Sequence, residues 1–171
     1  MSQPLPKVTL RAVEPEDLDL LYKIENDQRL WNVGVTNVPY SRYTLHDYVA
    51  NCSDDIYADH QVRLIIEDSG GNAVGLADIS NFSPRHMRAE VGIVILDDCR
   101  RKGYATAALQ HLCQYSRNII HLHQLYAIIE QTNQKALSLF AKDGFSEQAV
   151  LKDWLFDGAS YSNALLMQKI L

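Results

Sequence analysis

The spacing of apolar and polar positions changes several times along the chain, and each change predicts an element. KVTLRAV (7–13) alternates and predicts a first strand. EPEDLDLLYKIEND (14–27) has Pro15 and acidic residues in a first turn and puts Leu18, Leu21 and Ile24 on one face, so it predicts a helix. TLHDYVANC (44–52) predicts a shorter one. The β-branched run QVRLIIED (61–68) predicts a strand, Ser69, Gly70, Gly71 and Asn72 a hairpin turn, and AVGLADISNF (73–82) the returning strand. After a turn at SPRH (83–86), MRAEVGIVIL (87–96) continues the antiparallel run.

The second half changes period again. YATAALQHLCQYSRNII (104–120) reads as a helix with Ala108, Leu112 and Tyr115 on one face. QLYAIIE (124–130) is a buried type of strand. NQKALSLFAKDG (133–144) predicts a helix with Asn133 near its start and Gly144 as its stop. FSEQAVLKDWLF and YSNALLMQKIL form a closing hairpin around DGAS (157–160). The order is strand, helices, three antiparallel strands, helix, strand, helix, two strands. That is an α/β fold of the α+β type, a mixed sheet flanked by helices.

Composition narrows the functions open to such a fold. The 171 residues fit a single domain, 1–171, with a real core; 47% are hydrophobic and 22% charged. A net charge of −5 and a pI near 5.6 argue against a general nucleic-acid binder, which needs a basic field, and mildly favour a cationic partner. Cys52, Cys99 and Cys113 are widely spaced, with no CxxC pair, which points to reduced thiols and a cytoplasmic setting. The opening residues carry charges where a signal peptide needs an apolar run, and no stretch is long and apolar enough to span a membrane. The histidines show no HExxH and no ligand spacing with carboxylates, so no metal is expected.

The densest candidate chemistry is CRRKGYATAAL (99–109), where a strand hands over to a helix. A helix start exposes unpaired N–H groups and the positive end of the dipole, and so attracts phosphates. Gly103 permits a sharp turn and close approach, Ala105 stays small, and Arg100, Arg101 and Lys102 add charge. The plainer alternative is a basic loop with a glycine near a helix cap. No P-loop lysine followed by Ser or Thr is present, and the three-glycine dinucleotide fingerprint is missing.

Two motifs in register resolve the ambiguity. Arg100-x-x-Gly103-x-Ala105 resembles the pyrophosphate loop Q/R-x-x-G-x-G/A of the GNAT superfamily of N-acetyltransferases. NQKALSLFAKDGF resembles that family's N-x-x-A-x-x-L-Y-x-K-x-G-F segment at Asn133, Ala136, Leu139, Lys142, Gly144 and Phe145. RHMRAEVGIVI and WLFDGASYSNALLMQKI are most similar to the branch holding spermidine N-acetyltransferases and ribosomal-protein N-terminal acetyltransferases. The resemblance implies a mixed, mostly antiparallel sheet whose splayed strand pair holds acetyl-CoA. It implies that the backbone of Ile93, Val94 and Ile95 pairs with the pantetheine arm. It assigns the pyrophosphate to the amides of Arg100, Arg101, Lys102, Gly103, Tyr104, Ala105 and Thr106. Asn133 would bond the pantetheine or fix the gap, or serve as a plain helix cap.

Amide formation from a thioester needs a neutral amine, a place for its proton, and a proton for the departing thiolate. Glu90 is the candidate base; its alternative is an ion pair with Arg88 or Arg85. Glu130 and Asp78 are secondary candidates. The resemblance implies a tyrosine acid, as many relatives have, where this chain has Phe140, which has no proton to give; Phe140 would only pack beside the thioester. Trp31, Tyr40 and Tyr43 either shape the acceptor pocket or pack in the core. Asp54, Asp55 and Asp59 are placed to attract a polycation. The expected activity is therefore direct acetyl transfer to a primary amine, leaning to a polyamine or diamine. The alternatives are a protein N-terminus, and a non-catalytic acyl-CoA-binding protein. A homo-oligomer is expected from the same resemblance.

Overall fold

The computed structural model describes residues 4–31, 38–53 and 55–171. Its frame is a seven-stranded sheet. The strands are β1 (Val8–Ala12), β2 (Val62–Asp68), β3 (Ala73–Ser83), β4 (Arg88–Ile95), β5 (Gln124–Glu130), β6 (Ser146–Phe156) and β7 (Tyr161–Ile170). Their order across the sheet is β1-β2-β3-β4-β5-β7-β6. Every neighbouring pair is antiparallel except β4–β5, which is parallel. The mixed, mostly antiparallel sheet expected from the sequence is therefore the sheet observed. The helices are α1 (Leu18–Glu25), α2 (Gln28–Trp31), α3 (Arg42–Asn51), α4 (Ile56–Asp59), α5 (Tyr104–Asn118) and α6 (Gln134–Lys142).

The helix expected over 14–27 is broken in two places, for visible reasons. Residues Pro15–Asp17 form a 3-10 turn, because the Asp17 carboxylate turns back to accept the Glu14 N–H at 2.8 Å. Beyond α1, Asn26 leaves the helix and serves the backbone of Tyr40, accepting its N–H at 2.8 Å and donating to its carbonyl at 3.1 Å. Asp17 also receives both guanidinium nitrogens of Arg11, at 2.7 and 2.9 Å. That bond, opposed by burial, holds the Asp17 carboxyl below the usual carboxylate range.

Helices cover both faces of the sheet. On one face Ala107, Ala108, Leu109 and Leu112 of α5 share a core with Ala77, Ile79 and Val91. On the other, Leu21 and Ile24 of α1 and Leu45 of α3 pack with Ile65 and Leu76. Small residues at 107 and 108 let α5 lie close to the strands, and each buried leucine contributes about 1.5–3 kcal/mol. Gly75 does similar work between strands: a Cβ there would stand 2.1 Å from the Val94 carbonyl oxygen. Among the described residues, no helix is long and apolar enough to cross a membrane.

Candidate active site

The site begins where the sheet fails to close. β4 and β5 pair at only three positions, Arg88↔Gln124, Ala89↔Leu125 and Glu90↔Tyr126. Beyond them β4 keeps its pairing with β3 as far as Ile95, and β5 keeps its pairing with β7 as far as Glu130. Residues 91–95 and 127–130 therefore face one another across a gap with half of their backbone groups unpaired by a neighbouring strand. The side chains of Ile93 and Val94 are anchored in the cores on opposite faces of the sheet, which leaves the gap lined by main chain.

At the far end of β4 the chain crosses a 3-10 turn, Asp97–Cys99, and reaches the loop before α5. Gly103 is the N-cap of α5, with φ +86°, and offers no side chain to cap it. The amides of Tyr104, Ala105 and Thr106 thus stay available, because Ala107 N–H is the first to bond back, to the Gly103 carbonyl at 3.0 Å. Arg101 also adopts a left-handed backbone, φ +62°, which helps to curl the loop. Arg100 departs from expectation. Its amide is spent on the Asp97 carbonyl at 3.2 Å, its Nε donates to the Ile95 carbonyl at 3.1 Å, and its guanidinium pairs with Asp97 at 2.9 Å. It braces the loop from behind, and its amide is not among the loop's free ones.

Glu90 sits at the last paired position of the seam, half-buried, with Tyr126 beside it on β5 and Ser80 opposite on β3. Register partners share a face, so all three side chains lie on the face covered by α1 and α3. The alternative ion pair with Arg88 or Arg85 is not formed; the Glu90 carboxylate accepts the Asn81 side-chain amide at 2.8 Å. Burial, then the negative charge of Glu90, pushes the Tyr126 phenol up, so it remains a neutral donor. Asp78 is already engaged: Arg63 binds it through two nitrogens, at 2.8 and 3.1 Å, and also binds Glu25. Burial opposes the charge on Arg63, but Asp78 and Glu25 outweigh it. The Tyr48 ring lies 6.0 Å from the same guanidinium, and Tyr48 borders an open polar cavity of about 240 Å³ with Asp47, Asn51 and Asp59.

β5 is followed by α6. Asn133 is its N-cap, accepting the Ala136 N–H at 3.2 Å, while its own N–H bonds the Glu130 carbonyl at 2.9 Å. The capping role is therefore the one seen, and it ties α6 to the end of β5. Phe140 is 5% exposed and meets Phe145 edge to face, with ring centroids 5.0 Å apart. The end of α6 is pinned by Asp143, which pairs with Lys169 of β7 at 2.9 Å and accepts the Cys113 thiol at 3.5 Å. Burial pushes that thiol up to about 12, so it stays protonated.

The remaining candidates divide. Tyr40 packs against the α1–α3 core, whereas Tyr43 is 80% exposed and packs in no core. Asp55 and Asp59 do local work: Asp55 caps α4 by accepting the Tyr57 N–H at 2.9 Å, and Asp59 accepts the Ser53 hydroxyl at 2.7 Å. The Trp31 side chain and Asp54 lie outside the described residues. Among the described residues no group of His, Cys, Asp and Glu is placed to hold a metal ion. Sequence reasoning missed Asn81, Tyr126 and Arg63. The last two are the cross-strand partners of Glu90 and Asp78, a register that alternation within a strand does not set, and no pattern predicts the bulge that turns Asn81.

Comparison with known proteins agrees with this geometry. The family model described as an acetyltransferase (GNAT) domain matches residues 7–146. The spermidine N(1)-acetyltransferase of Escherichia coli K12 is 29% identical over 160 residues, covering 94% of this chain and 84% of that one. A putative ribosomal N-acetyltransferase of Bacillus subtilis is 27% identical, covering 87% and 83%. The crystal structure of spermidine N-acetyltransferase from Vibrio cholerae in complex with CoA and spermine superposes with a TM-score of 0.85 at 27% identity, over 95% of each chain. With a family match over most of its length, and a split sheet leading to an uncapped helix, the chain belongs to the GNAT acetyltransferase family.

Proposed function

We propose that residues 1–171 form a single N-acetyltransferase domain that passes the acetyl group of acetyl-CoA directly to a primary amine of a polyamine. The observation that carries this is the parting of β4 and β5 after Glu90 and Tyr126, aimed at the free amides of α5. An extended amide-bearing arm fits between two strand edges that each lack a partner, and a diphosphate fits an uncapped helix start. On this reading the main chain of Ile93, Val94 and Ile95 holds the pantetheine, and the amides from Arg101 to Thr106, with Lys102 beside them, hold the pyrophosphate. Acetyl-CoA supplies the activated acyl group. Glu90 takes the proton of the incoming ammonium, directly or through a water. Phe140, buried against Phe145, has no proton to give, so the thiolate leaves unassisted by α6; a thiol of pKa about 8.5 is a tolerable leaving group.

A polyamine fits the acceptor side because Glu25 and Asp78 outnumber Arg63 there, and because spermidine is the substrate named for the Escherichia coli relative. The free cysteines fit a cytoplasmic setting, and neither nucleic acid nor membrane is needed as a partner. Self-association would draw on the exposed apolar side of the β6–β7 hairpin, where Val150, Trp154, Phe156 and Tyr161 stand in solvent. The test is thiol release against a panel of polyamines, amino acids and N-terminal peptides. Turnover with polyamines supports the reading, and turnover with peptides alone moves the acceptor to a protein N-terminus. Binding of acetyl-CoA with no transfer to any amine rejects the enzyme. Within the panel, Glu90→Gln is expected to lower the rate by roughly 10²–10⁴ at neutral pH, with a smaller loss at higher pH. Full activity with an unchanged pH profile removes Glu90 from the chemistry.

A further inference from the structure

The β3–β4 ladder is regular from Gly75↔Ile95 to Ser80↔Glu90, then shifts register before Ser83↔Arg88. Asn81 occupies that bulge with φ +50°. In a regular strand the residue after Ser80 points to the opposite face from Ser80 and Glu90. Here the bulge and the left-handed backbone turn Asn81 back, so that its Nδ2 donates to Glu90 Oε2 at 2.8 Å. Tyr126 stands beside Glu90 in the β4–β5 register. The Asn81 side chain therefore ties β3 to β4 at the position where β4 and β5 part.

We propose that Asn81 is the positioning residue for Glu90: it occupies one carboxylate oxygen and fixes the other toward the opening of the gap. This rests on reading Glu90 as the base. A half-buried glutamate beside an open gap has free χ angles, and anchoring Oε2 removes most of that freedom while leaving Oε1 as the acceptor. The other charged and titratable groups around Glu90 are Arg88 on β4, Tyr126 on β5, and Asp78, two positions along β3 from Ser80, with its partners Arg63 of β2 and Glu25 of α1. None of these takes the place of the Asn81 amide, because Arg88 forms no ion pair with Glu90 and Arg63 is committed to Asp78 and Glu25.

The decisive variant is Asn81→Gly, because glycine accepts the left-handed backbone and only the amide is lost. Expected is a melting temperature equal to or above the wild type, an unchanged KM for acetyl-CoA, and a fall in kcat of about tenfold at pH 7. Asn81→Asp keeps the turn but sets a second carboxylate against Glu90, so kcat should fall further. A wild-type kcat in Asn81→Gly would overturn the assignment and leave Asn81 as a turn former. In a Glu90→Gln background, Asn81→Gly should add no further loss; an equal loss in both backgrounds also overturns it. If Glu90→Gln alone is fully active, the base assignment itself fails, and the role of Asn81 falls with it.

Discussion

Replacing Gly103 by alanine tests the loop at its tightest point. The backbone there has φ +86°, where a residue with a Cβ loses about 1–2 kcal/mol relative to glycine. The new Cβ would also stand 2.9 Å from Cδ of Pro6 and 3.5 Å from Cδ2 of Leu5. A proline ring cannot swing aside, so the chain before β1 must move. The bare backbone suggested by the sequence thus also makes room for the protein's own N-terminal segment, since a side chain at 103 meets Pro6. Together the two effects predict a loss of at least about 1–2 kcal/mol, or about 2–8 °C in melting temperature for a chain of this size. Urea unfolding of Gly103→Ala, Pro6→Ala and the double variant separates them. Relief of the Pro6 contact should make the double variant more stable than the sum of the singles by more than about 0.5 kcal/mol, the scatter of independent sites. Gly103→Asn, which tolerates the left-handed region, should recover part of the backbone term. Titration with acetyl-CoA should show weaker binding by Gly103→Ala, because the amides that follow are shifted. An alanine variant as stable as the wild type, or strict additivity with Pro6→Ala, would refute the reasoning.

Two further outcomes are expected. Phe140→Tyr should raise turnover, most clearly below pH 8, if its hydroxyl reaches the gap; a stopped assay of thiol release across pH reads this. A hydroxyl stranded in the core beside Phe145 would instead cost about 1–3 kcal/mol with no gain in rate, and that result sinks the prediction. Asp17 has a folded-state pKa held down mainly by its hydrogen bond to Arg11, so its contribution to stability is present above the unfolded value and lost as pH falls through the folded one. Asp17→Asn should therefore flatten the loss of melting temperature below about pH 4; an acid limb as steep as that of the wild type would deny the linkage.

The periodic parts of this fold were open to reading from the residues alone. Alternation found β1, β-branched and apolar runs between turn signals found β2 to β5 and the closing hairpin, a one-face stripe found α5, and Asn133 and Gly144 bounded α6, because burial and chain reversal dictate composition directly. The breaks were less legible. Asn26 ends α1 to serve Tyr40, fourteen residues away, and α4 is a single turn capped by Asp55; neither leaves a periodic trace. At the site, the Gly103 loop and Glu90 announced themselves through motif and position. Arg100 did not, since its place in the loop motif says nothing about an amide already committed to Asp97. Asn81 was hidden for a stronger reason: alternation puts it on the wrong face, and only a change of register reverses that.

The three-position seam between β4 and β5 also has a consequence for how the molecule breathes. Elsewhere the sheet is laced by ladders of five or more registered positions, so the seam is where the two halves, β1–β4 and β5–β7, are least held by backbone. Local opening follows such weak joins, and amides along 91–95 and 127–130 that face the gap are the ones from which deuterium uptake should be fastest within the strands. A ligand lying in the gap acts as a missing strand. It closes the seam and lends its binding free energy to the whole fold, about 2.7 kcal/mol at a hundredfold excess over Kd. The protein would then be most cohesive when charged with its acyl donor, and slackest in the interval between release of one donor and capture of the next.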